Sequence, residues 1–143
     1  MSSPKVSVIM PTYNHAPFVS EAIQSVLAQQ GVEFELLIAD DGSQDDTVAM
    51  ASNHHDPRIK VMANPANRGA CVVVNELIAA SRGEYIALLN SDDAWATPTK
   101  LAEQVRLLDD HPDIGASFAR ASFMDRDSQP MPKGDVAFGH AFD

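Results

Sequence analysis

Short apolar runs, each ending abruptly in a polar cluster, alternate along this chain with stretches of helical periodicity, and few folds satisfy that pattern. Val6-Ser7-Val8-Ile9-Met10 is partly β-branched and stops at Pro11. Phe34-Glu35-Leu36-Leu37-Ile38-Ala39 stops at Asp40-Asp41-Gly42-Ser43, and Glu84-Tyr85-Ile86-Ala87-Leu88-Leu89 stops at Asn90-Ser91-Asp92-Asp93. Arg58 to Met62 alternates as a third strand, and Gly115 to Met124 reads as a fifth. Such runs are too short for buried helices and suit strands buried on both faces.

Between them lie helical patterns. Phe18, Ala22, Ile23, Val26 and Leu27 recur at helical spacing, with Gly31 as the expected C-terminal cap. Asp45 or Asp46 can cap a helix through Val48 to Ala51. Ala70 to Ser81 contains Val72-Val73-Val74, which alone would suit a strand, but its length and the stop at Arg82-Gly83 favour a helix. Thr97-Pro98 offers a cap and a first-turn proline for a helix whose buried stripe is Leu101, Val105 and Leu108. The expectation is an α/β fold, a mostly parallel sheet with helices on both faces. Ligands of such sheets bind beyond the carboxyl ends of the strands, where the polar clusters here converge.

The chain has 143 residues, enough for one domain with its own core, and a single cysteine, Cys71, so no intramolecular disulfide is available. With Met1-Ser2-Ser3-Pro4-Lys5 leading straight into a strand, a soluble, unsecreted, cytoplasmic protein is expected, with no membrane contact indicated. A formal net charge of −10 disfavours nucleic-acid partners and anionic membrane surfaces. An anionic small-molecule substrate would need a divalent cation to share a site with these carboxylates.

Adjacent carboxylates at a strand end are costly to desolvate unless a cation or hydrogen-bond donors compensate them. Asp92 and Asp93 therefore read either as ligands for Mg2+ or Mn2+, whose shells are completed by phosphate and water, or as a surface turn. Asp40 and Asp41 read either as acceptors for a base N–H or ribose hydroxyl, or as a turn. Tyr13 offers a stacking face with the Thr12 hydroxyl beside it, and Arg68 a planar donor for carbonyl or phosphate oxygens; a core-covering tyrosine and an exposed salt bridge are the alternatives. Trp95 is expected to pack beneath the Asp92-Asp93 turn, Met50, Met62, Met124 and Cys71 to fill core, and His54-His55 to occupy a solvated turn.

Val6 to Asn14, Asp40-Asp41-Gly42-Ser43-Gln44-Asp45-Asp46-Thr47, Asn67-Arg68-Gly69 and Asn90-Ser91-Asp92-Asp93 resemble, in order and spacing, the motifs of family 2 glycosyltransferases, over about the first 110 residues. The resemblance implies a GT-A fold, a nucleotide-diphospho-sugar donor, most often UDP-linked, Mg2+ or Mn2+, and transfer with inversion to a saccharide or lipid-linked acceptor. It places Thr12 and Tyr13 in the base pocket, Asp41 or Asp40 on the uracil with Arg68 nearby, Asp92 on the ribose or sugar, and Asp93 on the metal. Ser91 stands where many members carry a carboxylate. The family's general base lies well beyond the metal motif; Asp125, Asp127 and Asp135 sit in no recognisable base motif, so the base is expected beyond Asp143. The expected organisation is a donor-binding domain over residues 1–124 and the start of an acceptor-side region over 125–143, in a truncated form. A homo-oligomer is allowed. A non-catalytic sugar-nucleotide-binding module is the alternative function. A nucleotidyltransferase fits less well, because Pro11-Thr12-Tyr13-Asn14 is no Gly-rich loop, and the dinucleotide and P-loop signatures are missing.

Overall fold

The computed structural model describes residues 3–131. Four strands, β1 (Val6–Thr12), β2 (Phe34–Asp40), β3 (Ile59–Ala63) and β4 (Tyr85–Leu88), form a parallel sheet in the order β3-β2-β1-β4. Helices α1 (Val19–Leu27), α2 (Thr47–Ser52) and α3 (Ala70–Ala80) form the crossovers, and α4 (Lys100–Asp110) follows β4. The period-two alternation of β1 explains the layering. Val6, Val8 and Met10 join Leu36 and Ile38 in one core with Val19, Ile23 and Val26 of α1, Ala51 of α2 and Leu101 of α4. Ile9 points the other way and packs with Leu37, Ala39 and, from α3, Val73 and Leu77. The expected α/β architecture with helices on both faces is present. Because the chain crosses to β2 on one face and returns from β3 to β4 on the other, the strand order reverses at β1, and a crevice opens at the carboxyl ends.

Local boundaries depart from the sequence expectations for definable reasons. Residues Gly115 to Met124 form no strand: their only ladder contact is an isolated antiparallel bridge, Met124 to Pro130, and Phe118 is 94% exposed. Apolar content suggested a strand, but no neighbouring strand among the described residues supplies the hydrogen bonds. Helix α1 ends at Leu27, and Gly31, with φ +76°, lies beyond its cap at Ala28. Helix α4 starts at Lys100 because the carbonyls of Thr97 and Pro98 are already used by Gln29 Nε2 (2.7 Å) and the Gln30 N–H (2.8 Å). Gln29 is buried, and its Oε1 accepts the Leu101 N–H at 3.0 Å, so one side chain ties the end of α1 to the start of α4. Trp95 packs against the core, with Lys100 Nζ 4.2 Å from its ring centroid. Met62 is half-buried, whereas Met50, Met124 and Cys71 are exposed rather than core filler. Among the described residues no helix is long and apolar enough to cross a membrane.

The opposite end of the sheet carries a buried charge. Glu35 accepts hydrogen bonds from Ser7 Oγ (2.6 Å), the Arg82 N–H (2.9 Å) and the Arg82 guanidinium (2.7 and 3.0 Å). Burial alone would push this carboxyl up; the Ser7 and Arg82 donors outweigh it and hold the group below its ordinary value of 4.5. A lowered folded-state pKa contributes stability that is full above about pH 4.5 and fades as pH falls through the lowered value. Glu35→Gln is therefore expected to flatten the acid limb of a stability–pH curve from urea titrations, and an unchanged limb would contradict this. Beside it, a Cβ on Gly83 would lie 2.3 Å from the Ser7 backbone nitrogen and 2.7 Å from the Val6 carbonyl carbon. Gly83→Ala must push α3 or β4 off β1 and is expected to cost about 2 kcal/mol in urea unfolding.

Candidate functional site

The first loop, after β1, is held by the acidic loop after β2. Asn14, at φ +52°, donates its N–H to Ser43 Oγ (2.8 Å) and accepts the Gln44 N–H on Oδ1 (2.8 Å). The His15 N–H reaches Thr47 Oγ1 (2.9 Å), and the Ala16 N–H reaches Asp45 Oδ2 (3.1 Å). Asp45 also accepts the Thr47 N–H and hydroxyl, whereas Asp46, at the cap position of α2, makes no side-chain cap bond. Much of Asp40 to Thr47 thus serves to set the path of Thr12 to Ala16.

Asp40 belongs to that scaffold. Its carboxylate accepts the N–H groups of Gly42 (3.1 Å) and Ser43 (2.8 Å) and the Ser43 hydroxyl, and the residue is buried. Asp41 is buried too, and its two oxygens accept the N–H groups of Arg68 and Gly69, each at 2.8 Å. The two loops touch so closely that a Cβ on Gly42 would lie 2.7 Å from Ala66 and Asn67 backbone atoms, and Gly42 sits at φ +79°. Only glycine meets both demands cheaply. The Arg68 guanidinium turns away to Glu76, at 2.5 and 2.6 Å, the exposed ion pair that was the alternative reading of this residue.

These loops frame a cavity of about 460 Å³ at the carboxyl edge of the sheet. Thr12, Tyr13 and His15 line one wall, Asp41, Asn67 and Gly69 another, and Asn90 and Asp92 the far end. Of the residues the sequence singled out, Thr12, Tyr13, Asp41 and Asp92 meet here. Asp40 lies behind the wall, and the Arg68 side chain is not part of the lining. Tyr13 is 42% exposed, leaving a ring face open to a planar ligand. Thr12 is 4% exposed, and its hydroxyl has no hydrogen-bond partner among the described residues. An orphaned buried hydroxyl costs about 1–3 kcal/mol and is commonly kept for a ligand. Thr12→Val should therefore leave the melting temperature unchanged or raised; a marked fall would mean that the hydroxyl has a structural partner.

Among the described residues no Lys or Arg lines the cavity, although the N-terminus of α3 at Gly69 and Ala70 opens onto it. Asp92 and Asp93 are exposed at the far end, their turn closed by the Asp93 N–H on the Asn90 carbonyl (3.1 Å). Among the described residues the Asp93 carboxylate meets only Asn90 Nδ2, at 3.5 Å. Unlike Asp40 and Asp41, this pair is not consumed by loop N–H groups. Among the described residues no three His, Cys, Asp or Glu side chains form a metal cage. One or two open carboxylates suit Mg2+ or Mn2+, which fill the remaining positions with substrate oxygens and water. A smaller cavity of about 220 Å³ adjoins the same turn, between Phe18 and Glu21 of the α1 region and Met124, Asp125, Arg126 and Ser128. Asp125 holds its own turn by accepting the Asp127 and Gln129 N–H groups (both 2.9 Å). Asp135 lies outside the described residues.

His15 and Ser91 were missed as site residues. His15 Nδ1 lies 2.7 Å from Ser91 Oγ, a contact between residues 76 positions apart that no local pattern could reveal.

A parallel α/β sheet with its loops gathered into a cavity at the strand-order reversal defines a ligand-binding domain of the doubly wound class. The sequence matches the profile of Glycosyl transferase family 2 over residues 7–136, and the chain belongs to that family. It is 39% identical over 103 residues to WfgD of Escherichia coli, a UDP-Glc:alpha-D-GlcNAc-diphosphoundecaprenol beta-1,3-glucosyltransferase, covering 72% of this chain and 40% of that protein. It is 39% identical over 106 residues to the succinoglycan biosynthesis protein ExoO of Rhizobium meliloti, covering 74% of this chain and 30% of that one. Among solved structures, S. aureus TarS 1-349 in complex with UDP superposes with a TM-score of 0.70 at 28% identity, over 76% of this chain and 33% of that one. The mannosyltransferase PcManGT from Pyrobaculum calidifontis, in complex with GDP-Man and Mn2+, gives 0.67 at 27% identity, over 76% and 33%. The chain spans well under half the length of these relatives.

Proposed function

We propose that this chain is the donor-binding part of a glycosyltransferase that moves a sugar from a nucleotide-diphospho-sugar, UDP-linked by preference, to an acceptor hydroxyl with inversion. The observation that carries the reading is a cavity offering an aromatic face, an orphaned hydroxyl and a carboxylate turn, with no Lys or Arg among the described residues in its lining to receive a diphosphate. Tyr13 stacks on the base, Thr12 Oγ1 donates to it or to the ribose, and Asp41 uses its remaining lone pairs for a base N–H. Arg68 is held to Glu76 by an exposed pair worth at most about 1 kcal/mol, so its guanidinium can exchange that partner for a base carbonyl. Asp92 meets ribose or sugar hydroxyls, and Asp93, with Asp92, holds Mg2+ or Mn2+. The cation, when bound, neutralises the charge that builds on the leaving diphosphate.

In the transfer, the bond from the anomeric carbon to phosphate oxygen breaks with its electron pair leaving on the nucleoside diphosphate. The acceptor oxygen attacks the opposite face, and its proton passes to a general base. We place that base beyond Asp143, in an acceptor-side region beginning near residue 125, and the donor domain within 1–124. A longer protein working in the cytoplasm on a saccharide or lipid-linked acceptor fits this division.

Calorimetry with UDP, GDP and dTDP, each with and without Mn2+, tests the reading. UDP is expected to bind most tightly and only with metal, and Thr12→Val to weaken it. Equal binding with and without metal, or none, would contradict it. The same titrations with UDP-sugars, followed by donor hydrolysis assays on a longer form of the protein, separate an enzyme from a module that only binds.

A further inference from the structure

Ser91 is the one residue of the Ser91-Asp92-Asp93 run without a carboxylate, and its environment suits a task other than metal binding. The residue is 0% exposed, and the contact with His15 Nδ1 at 2.7 Å is the only hydrogen bond its hydroxyl makes among the described residues. A buried hydroxyl is stabilised by donating its proton to an acceptor. The ring nitrogen is its one hydrogen-bond partner among the described residues, and when the hydroxyl donates that bond Nδ1 accepts and the neutral ring carries its proton on Nε2. Phe18 meets the ring edge-to-face at 6.2 Å and 79°, limiting its rotation. His15 lines the main cavity beside Asn90 and Asp92, and its Nε2 has no partner among the described residues.

Resting on the donor-binding reading above, we infer that His15 contacts the donor directly: its Nε2–H donates to an anionic oxygen of the nucleotide diphosphate, and Ser91 sets the tautomer that makes this a donor. The contact supplies a hydrogen-bond donor to the diphosphate where no Lys or Arg among the described residues lines the cavity. It also joins the β1 loop to the carboxylate turn, so that diphosphate and metal are registered against one ring.

The test has two arms. In ¹⁵N-histidine NMR of the unliganded chain, His15 should show the Nε2–H tautomer, and Ser91→Ala should return it to a mixture; a dominant Nδ1–H form in the wild-type chain overturns the assignment. In binding titrations with Mn2+, His15→Ala should weaken UDP by about tenfold while uridine affinity stays within about twofold, and His15→Gln, whose amide can donate from a similar place, should recover part of the loss. UDP and uridine weakening by the same factor, or UDP unaffected, overturns the proposal. If His15→Ala melts early, the comparison is made with His15→Gln against wild type. A wild-type chain that binds neither ligand would instead remove the donor reading, and the His15 contact with it; wild-type binding with an indifferent His15→Ala removes the His15 contact alone.

Discussion

Asp41→Ala is expected to lower unfolding stability by about 3 kcal/mol and to abolish nucleotide binding. The carboxylate is buried, and each oxygen receives one backbone N–H of the Arg68–Gly69 turn at 2.8 Å. Removing both acceptors strands two N–H groups in a part-buried loop, and hydrogen bonds to a charged group are worth about 1.5–3 kcal/mol each. Against a typical small-domain stability of about 5–15 kcal/mol this is a large fraction. It also frees the loop that positions Asn67, Gly69 and the start of α3 at the cavity. Asp41→Asn, which keeps one acceptor, should lose about half as much. Urea denaturation checks both; a loss under about 1 kcal/mol for Asp41→Ala would mean that the turn holds itself.

Asp93→Asn should do the reverse, sparing the fold and removing the metal dependence of UDP binding. The residue is exposed, and among the described residues its carboxylate has only the 3.5 Å contact from Asn90 Nδ2 to lose. Its charge is what a hard cation would use, and the amide is a poor substitute. The gain in UDP affinity on adding Mn2+ should shrink by at least about tenfold, with the thermal melt unchanged. A retained metal response would move the ion elsewhere on the molecule.

The layering was legible because it depends on periodicity alone. Val6, Val8 and Met10 against Ile9 assign the two faces, and the polar residue that ends each run marks the ligand edge. The fifth strand failed on the same ground: Gly115 to Met124 has apolar content, but a strand exists only against a partner, which sequence pattern does not supply. The site was half legible. Asp40-Asp41 and Asp92-Asp93 look alike on paper, since turns and ligand sites recruit the same carboxylates. The fold separates them by showing which oxygens are already taken: Asp40 and Asp41 serve loop N–H groups, and Asp92 and Asp93 remain open. Arg68 gives its backbone N–H to Asp41 and its guanidinium to Glu76, two partners that its place in the sequence does not reveal. Contacts such as His15 with Ser91, or Gln29 with Leu101, join residues more than 70 positions apart and emerge only from the packed structure.

As proposed, a nucleoside diphosphate and a divalent cation meet at the Asp92-Asp93 end of the cavity. Mn2+ is paramagnetic and broadens amide signals near it, so titrating trace Mn2+ into the ¹⁵N-labelled chain with and without UDP locates the ion directly. With UDP present, broadening should centre on Asn90 to Ala94 and extend to His15, and it should fade when Mg2+ is added in excess. Broadening centred on the Asp40 to Asp46 loop, or unaffected by UDP, would contradict the account.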